Sequence, residues 1–200
     1  MSICRDLLMR VATNAALLAA VAAPYPSLAD EFVQKGVHEH GRATLTLAVD
    51  GAVLTITLEA PAANVVGFEH PPMTADESAA VIDARRLLND PGQLFAFPPA
   101  AACRTQGIEV TAPYWAAADG ASTRPGTSAA AARREPGADM HSDYDATYRF
   151  RCANPPALAF VDALVVTRLR QIHDVRALIA TESIQTEQML SVDRVRVKLK

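Results

Sequence analysis

Two hundred residues, 50% hydrophobic and 20% charged, describe a globular chain of one or at most two domains. A formal net charge of -3 without any basic block excludes the usual kind of nucleic-acid binder, which carries a basic stripe. Arg133-Arg134 and the alternating Arg194-Val195-Arg196-Val197-Lys198 are too short or too interrupted to form more than a solvated face.

The start of the chain reads as an export signal. Arg5 and Arg10 give a positive start, Val11 to Ala23 form a short apolar core, and Ser27-Leu28-Ala29 supplies small residues at the cleavage positions. That core is shorter than the roughly 20 residues a membrane span needs. The reading predicts residues 1–29 as a signal peptide and residues 30–200 as a single exported domain, with no stable membrane insertion after cleavage. Export sets the meaning of the cysteines. Cys4 leaves with the signal, and an even pair in an oxidising compartment, Cys103 and Cys152, reads as a disulfide. It would close a loop of about 50 residues, a constraint of about 4 kcal/mol on the unfolded chain. The alternative, a thiolate metal site, would want a CxxC spacing, which this chain lacks.

His38-Glu39-His40-Gly41 comes next. On an extended strand the two imidazoles would share a face, with Cα atoms about 7 Å apart. Residues 42–60 alternate, with Ala43, Leu45, Leu47 and Val49 opposite Arg42, Thr44 and Thr46, and Leu54, Ile56 and Leu58 together on the return. Asp50-Gly51 suits the type I′ turn of a hairpin. By strand parity the histidines would fall on the polar face, away from the leucines. A loop follows, carrying Glu69 and His70, and Pro71 holds His70 extended. Thr74 and Glu77 have the spacing of a capping box for a helix with Val81, Ala84, Leu87 and Leu88 inward, stopping at Asn89-Asp90-Pro91-Gly92.

Beyond it, Leu94 to Phe97 reads as strand or packed turn, and Gly107 to Thr111 as a strand. Residues 116–139, rich in Ala, Gly, Ser and Pro, read as a long flexible loop. Tyr144, Ala146, Tyr148 and Phe150 alternate into Cys152 as another strand. Ala163 to Val166, Val175 to Thr181 and Val192 to Leu199 read as strands, with one or two helical turns over Thr167 to Ile172. Strands outnumber helices and hairpins recur. The expected class is α+β, mainly antiparallel strands with one or two helices, a single domain stapled by one disulfide.

Three of the five histidines fall between residues 38 and 70. His38 and His40 form a chelating pair, His70 with Glu69 beside it is the natural third donor, and His141 with Asp143 repeats the skip-one spacing. Imidazole suits Zn²⁺, Cu²⁺ and Ni²⁺ alike. His173, at a helix-to-strand junction with no donor near it in sequence, reads as structural or surface. No nucleophile elbow, HExxH or phosphate-binding glycine pattern occurs, and nothing in the spacing raises a metal-dependent hydrolase above simple binding.

His38-Glu39-His40-Gly41, Val49-Asp50-Gly51, Leu58-Glu59-Ala60-Pro61-Ala62, Asn64 and Val66-Gly67-Phe68-Glu69-His70 together resemble the ZrgA-like family associated with zinc uptake in the bacterial periplasm. Cys103, His141-Ser142-Asp143-Tyr144 and Tyr148-Arg149-Phe150-Arg151-Cys152 fit the same pattern. The resemblance implies an exported, non-enzymatic Zn²⁺-binding protein working with an importer of ABC type, with His38, His40, His70 and His141 as ligand candidates. Relatives often carry a His/Asp-rich tract in the long loop, whereas residues 116–139 here contain no histidine. Asp145 stands where relatives tend to have a further histidine. A single structured site fits this chain better than a multi-site scavenger. The competing expectation is an accessory or interaction subunit of a transporter whose histidines are not ligands.

Overall fold

The leucine–threonine alternation between residues 42 and 61 forms the hairpin that the pattern calls for, in β1 (Arg42–Asp50) and β2 (Val53–Pro61). Ala43, Leu45, Leu47, Leu54, Ile56 and Leu58 are all buried, one face of a pleated pair. The turn sits one residue later than expected. Asp50 pairs with Val53, so Gly51-Ala52 is the two-residue loop, with positive φ (54°) at Gly51 but not at Ala52. Glycine first is the sign pattern of a type II′ turn, not the type I′ expected for Asp50-Gly51.

The computed structural model describes residues 40–118, 142–169 and 171–200. The expected signal peptide, His38, His141 and nearly all of the expected flexible loop lie outside them.

After β2 the chain makes one short turn, α1 (Ala62–Val65), then the longer α2 (Ala75–Leu88). The capping box is formed: Thr74 Oγ1 accepts from the Glu77 N–H, and the Glu77 carboxylate accepts from the Thr74 N–H. Val81, Ala84 and Leu88 are buried, while Leu87 is only partly so. Asn89 ends the helix as expected, but Pro91 opens another short turn, α3 (Pro91–Leu94), because proline is well placed at a helix start. Then follow β3 (Phe95–Ala96), β4 (Cys103–Thr111), α4 (Trp115–Ala118) and β5 (Asp143–Cys152). The remainder is β6 (Phe160–Ala163), α5 (Val165–Arg168), β7 (Asp174–Ala180), β8 (Gln185–Ser191) and β9 (Arg196–Lys198).

The main sheet runs β4-β5-β2-β1-β7-β8, and a smaller one runs β3-β6-β9. All pairings are antiparallel except β1 with β7, which is parallel. The core lies on one face of the main sheet, where Tyr144, Tyr148, Phe150, Val175, Ala177 and Ile179 join the hairpin leucines. Helix α2 and the small sheet, through Phe95, Val161 and Val197, contribute to the same core. Tyr148 ties the layers together by donating its buried hydroxyl to the Leu88 carbonyl at the end of α2, 2.9 Å away. Cys103 and Cys152 face each other on the β4–β5 ladder and form the expected disulfide. The chain is an α+β domain, mainly antiparallel and stapled once.

Two expectations in the last third are corrected. Val165 and Val166 belong to α5 and not to a strand, which instead spans Phe160–Ala163. Of the stretch expected as a strand between Val192 and Leu199, only Arg196–Lys198 is one, because the chain turns back at Ser191–Arg194.

Candidate metal centre

His40 does not sit on a strand. β1 begins at Arg42, and Gly41 before it has φ +82°, a left-handed value that breaks the alternation. Parity therefore does not carry over from Arg42 to the histidines. His40 is exposed all the same, because it stands on a turn at the end of the main sheet.

That turn is clamped from two sides. Asn64, from α1, is the buried polar side chain among the described residues (2% exposed). Its Oδ1 accepts from the Gly41 N–H at 2.8 Å and its Nδ2 donates to the Arg42 carbonyl at 2.7 Å. Burying an amide is unfavourable unless it is hydrogen-bonded, and here both ends are used on the backbone that follows His40. From the other side, the His173 and Asp174 N–H groups both donate to the Gly41 carbonyl, at 2.7 and 3.1 Å. The β1–β7 pairing makes this possible, since Arg42 lies opposite Asp174 in register.

A concavity of about 340 Å³ opens at this corner. His40 and His173 both line it, with Gly41, Ala63 and Asn64 among the other walls. Gln171 and Gly67 complete the lining, so among the described residues no carboxylate, lysine or arginine contributes to it. His173 was expected to be structural or surface. It is exposed, and it shares a cavity with His40. The signal that would have located it is the parallel β1–β7 pairing, which a run of hairpins in sequence does not announce.

His70 lies further along the same segment and does not line that concavity. Its Nδ1 is 3.0 Å from the Pro71 carbonyl oxygen, so a proton on Nδ1 leaves Nε2 with a lone pair. Nε2 faces Glu77 Oε1 at 3.9 Å, and the ring stacks on Phe68 with centroids 5.1 Å apart. The other Glu77 oxygen accepts from the Met73 N–H at 2.6 Å and from the Thr74 N–H at 3.1 Å. The bond from Met73 does most to hold the Glu77 carboxyl below the usual carboxylate range, with those to Thr74 and the nearby His70 helping and desolvation opposing. Glu69 is exposed beside this group.

His141 is outside the described residues, and Ser142, which follows it in sequence, accepts from the Ala62 N–H of α1 through its carbonyl at 2.7 Å. Its hydroxyl accepts from Tyr114 at 2.6 Å, and Tyr114 stacks on Phe68. Asp143 opens β5 opposite Pro61. Helix α1 thus contacts both the Gly41–Arg42 backbone, through Asn64, and Ser142, through the Ala62 N–H. Among the described residues, no three of His, Cys, Asp and Glu form a group that could hold a metal ion.

This is a one-disulfide α+β domain with imidazoles at one end of its main sheet. The chain belongs to the ZrgA family of zinc uptake proteins, whose model matches residues 37–199. No curated protein matches it. Among the described residues, no helix is long and apolar enough to cross a membrane.

Proposed function

We propose that this protein is a periplasmic zinc-binding protein that buffers Zn²⁺ or delivers it to an importer. The observation that carries the reading is membership of the zinc uptake family over residues 37–199. Imidazoles exposed around one end of the main sheet supply donors of the right type, because His nitrogen is the usual zinc ligand where thiolates are unavailable. The thiols are unavailable here, being joined to each other. That same disulfide supports an exported protein, since such bonds persist in oxidising compartments.

In this reading His38, His40, His70 and His141 are the ligand set, with Glu69 and Asp143 as further candidates. His70 is well prepared for the role. Ligating histidines usually donate their second ring nitrogen to a backbone carbonyl, as His70 Nδ1 can to Pro71. The protein binds metal without chemical turnover, and a zinc importer of ABC type is a suitable receiver. The donors would also accept Cu²⁺ or Ni²⁺, so selectivity would rest on geometry and metal supply.

Isothermal titration with Zn²⁺, compared across His38→Ala, His40→Ala and His70→Ala, tests the reading. A measurable affinity that falls in these variants supports it. Binding that is absent, or equal in all three and the parent, would leave the accessory-subunit reading in its place.

A further inference from the structure

We infer that His173 is a zinc ligand, paired with His40 across the concavity at the end of β1 and β7. The inference rests on the zinc-binding reading above and adds a donor that the sequence pattern around residues 38–70 does not contain.

Several independent features place the two imidazoles as a pair. Both line the same concavity of about 340 Å³. Their backbones are joined, since Gly41, next to His40, accepts through its carbonyl from the His173 and Asp174 N–H groups. A Cβ on Gly41 would stand 3.0 Å from His173 Cδ2, so the ring lies directly against the glycine. The hydrogen bonds at this corner run through backbone and Asn64 and leave both rings out of them.

The chemistry follows from that arrangement. Two neutral imidazoles fill half of a tetrahedral zinc shell. Because the backbone beside both is joined by the β1–β7 pairing, less ordering is left for the moment of binding, which is how preorganisation favours affinity. No carboxylate, lysine or arginine lines the concavity among the described residues, so imidazole nitrogens are its strong donors. In sequence, His38 lies two residues from His40 and is the nearest further histidine.

The test combines Zn²⁺ titration calorimetry with NMR of the histidine ring nitrogens. Proteins to compare are the parent, His40→Ala, His173→Ala, His173→Gln and the double variant His40→Ala/His173→Ala. The expected result is a loss of affinity of about 10-fold or more for each single variant, at least what loss of a ligand's supporting contacts costs. The double variant should lose less than the product of the single losses, because two ligands of one ion act as a unit. In the parent, zinc should shift the His173 ring nitrogens together with those of His40. His173 is exposed, so both substitutions should melt with the parent, and the parent spectra decide the matter even if one does not fold. If the parent binds zinc while His173→Ala and His173→Gln keep its affinity within about twofold and the His173 ring is unmoved, the inference fails and the zinc-binding reading stands. If the parent binds no zinc, both fall.

Discussion

The His40 corner and the His70 corner hold their imidazoles in opposite ways. At the first, long-range contacts fix the backbone: Asn64 from α1 and His173 from the end of β7 both grip Gly41. At the second, the ring itself is held by near neighbours, Pro71 in front, Phe68 behind and Glu77 in the first turn of α2. A locally held ring takes its position from residues close to it in sequence. A ring mounted on a clamped backbone gains its partner only when β1 and β7 pair. The His70 corner is therefore an imidazole beside a carboxylate, and the His40 corner has two imidazoles lining one concavity.

Disulfide loss is expected to have the largest effect while leaving that contrast untouched. Cys103→Ser with Cys152→Ser removes a link between residues 49 apart, worth about 4 kcal/mol by loop entropy. Denaturant unfolding should show the loss, while zinc affinity of the folded fraction stays unchanged, because the pair lies on the β4–β5 ladder. Asn64→Ala comes next and acts on the His40 corner. It leaves the Gly41 N–H and the Arg42 carbonyl without their partner, at about 2–3 kcal/mol. Zinc affinity should fall with it even where the protein remains folded, through loss of position and not of a ligand.

Gly41→Ala asks for a side chain at φ +82° and against His173. The backbone strain alone costs about 1–2 kcal/mol, and displacement of the His173 ring should weaken zinc binding while His70 stays in place. Thr74→Ala removes the N-cap of α2 and should cost about 1 kcal/mol, confined to the His70 side. Hydrogen exchange in the first turn of α2 would report it.

The smallest effect is a pH dependence. Glu77 has a folded pKa below its ordinary value, so the stability it contributes is full above the usual carboxylate range and is lost as pH falls through the lowered folded value. Asp162, held low chiefly by its hydrogen bonds from Arg196 and secondarily by that cation's charge, follows the same sign at the small sheet. Acid titration of amide exchange should show α2 loosening at its start in the parent, and the dependence should vanish in Glu77→Gln.

Much of this fold is legible wherever the signal is local. The β1–β2 alternation, the Thr74–Glu77 box and the strand ending at Cys152 each rest on neighbours within a few residues. β8 is not legible, because a polar edge strand (Gln185-Thr186-Glu187-Gln188) buries only Leu190 and shows no apolar alternation. The parallel β1–β7 contact is also silent in sequence, since it joins strands more than a hundred residues apart. His173 is hidden for that reason. His40 is identified correctly as exposed but for the wrong local cause, because Gly41 ends the alternation before the histidine is reached. The parts of the site that tertiary pairing assembles are the parts a one-dimensional pattern cannot carry.

X-ray absorption at the zinc edge, on the protein loaded with one equivalent of Zn²⁺, tests the central claim most directly. The account predicts the outer-shell scattering of at least two imidazoles in the parent and a reduced imidazole contribution in His40→Ala. A zinc spectrum without imidazole scattering, or one identical in the two proteins, would contradict it.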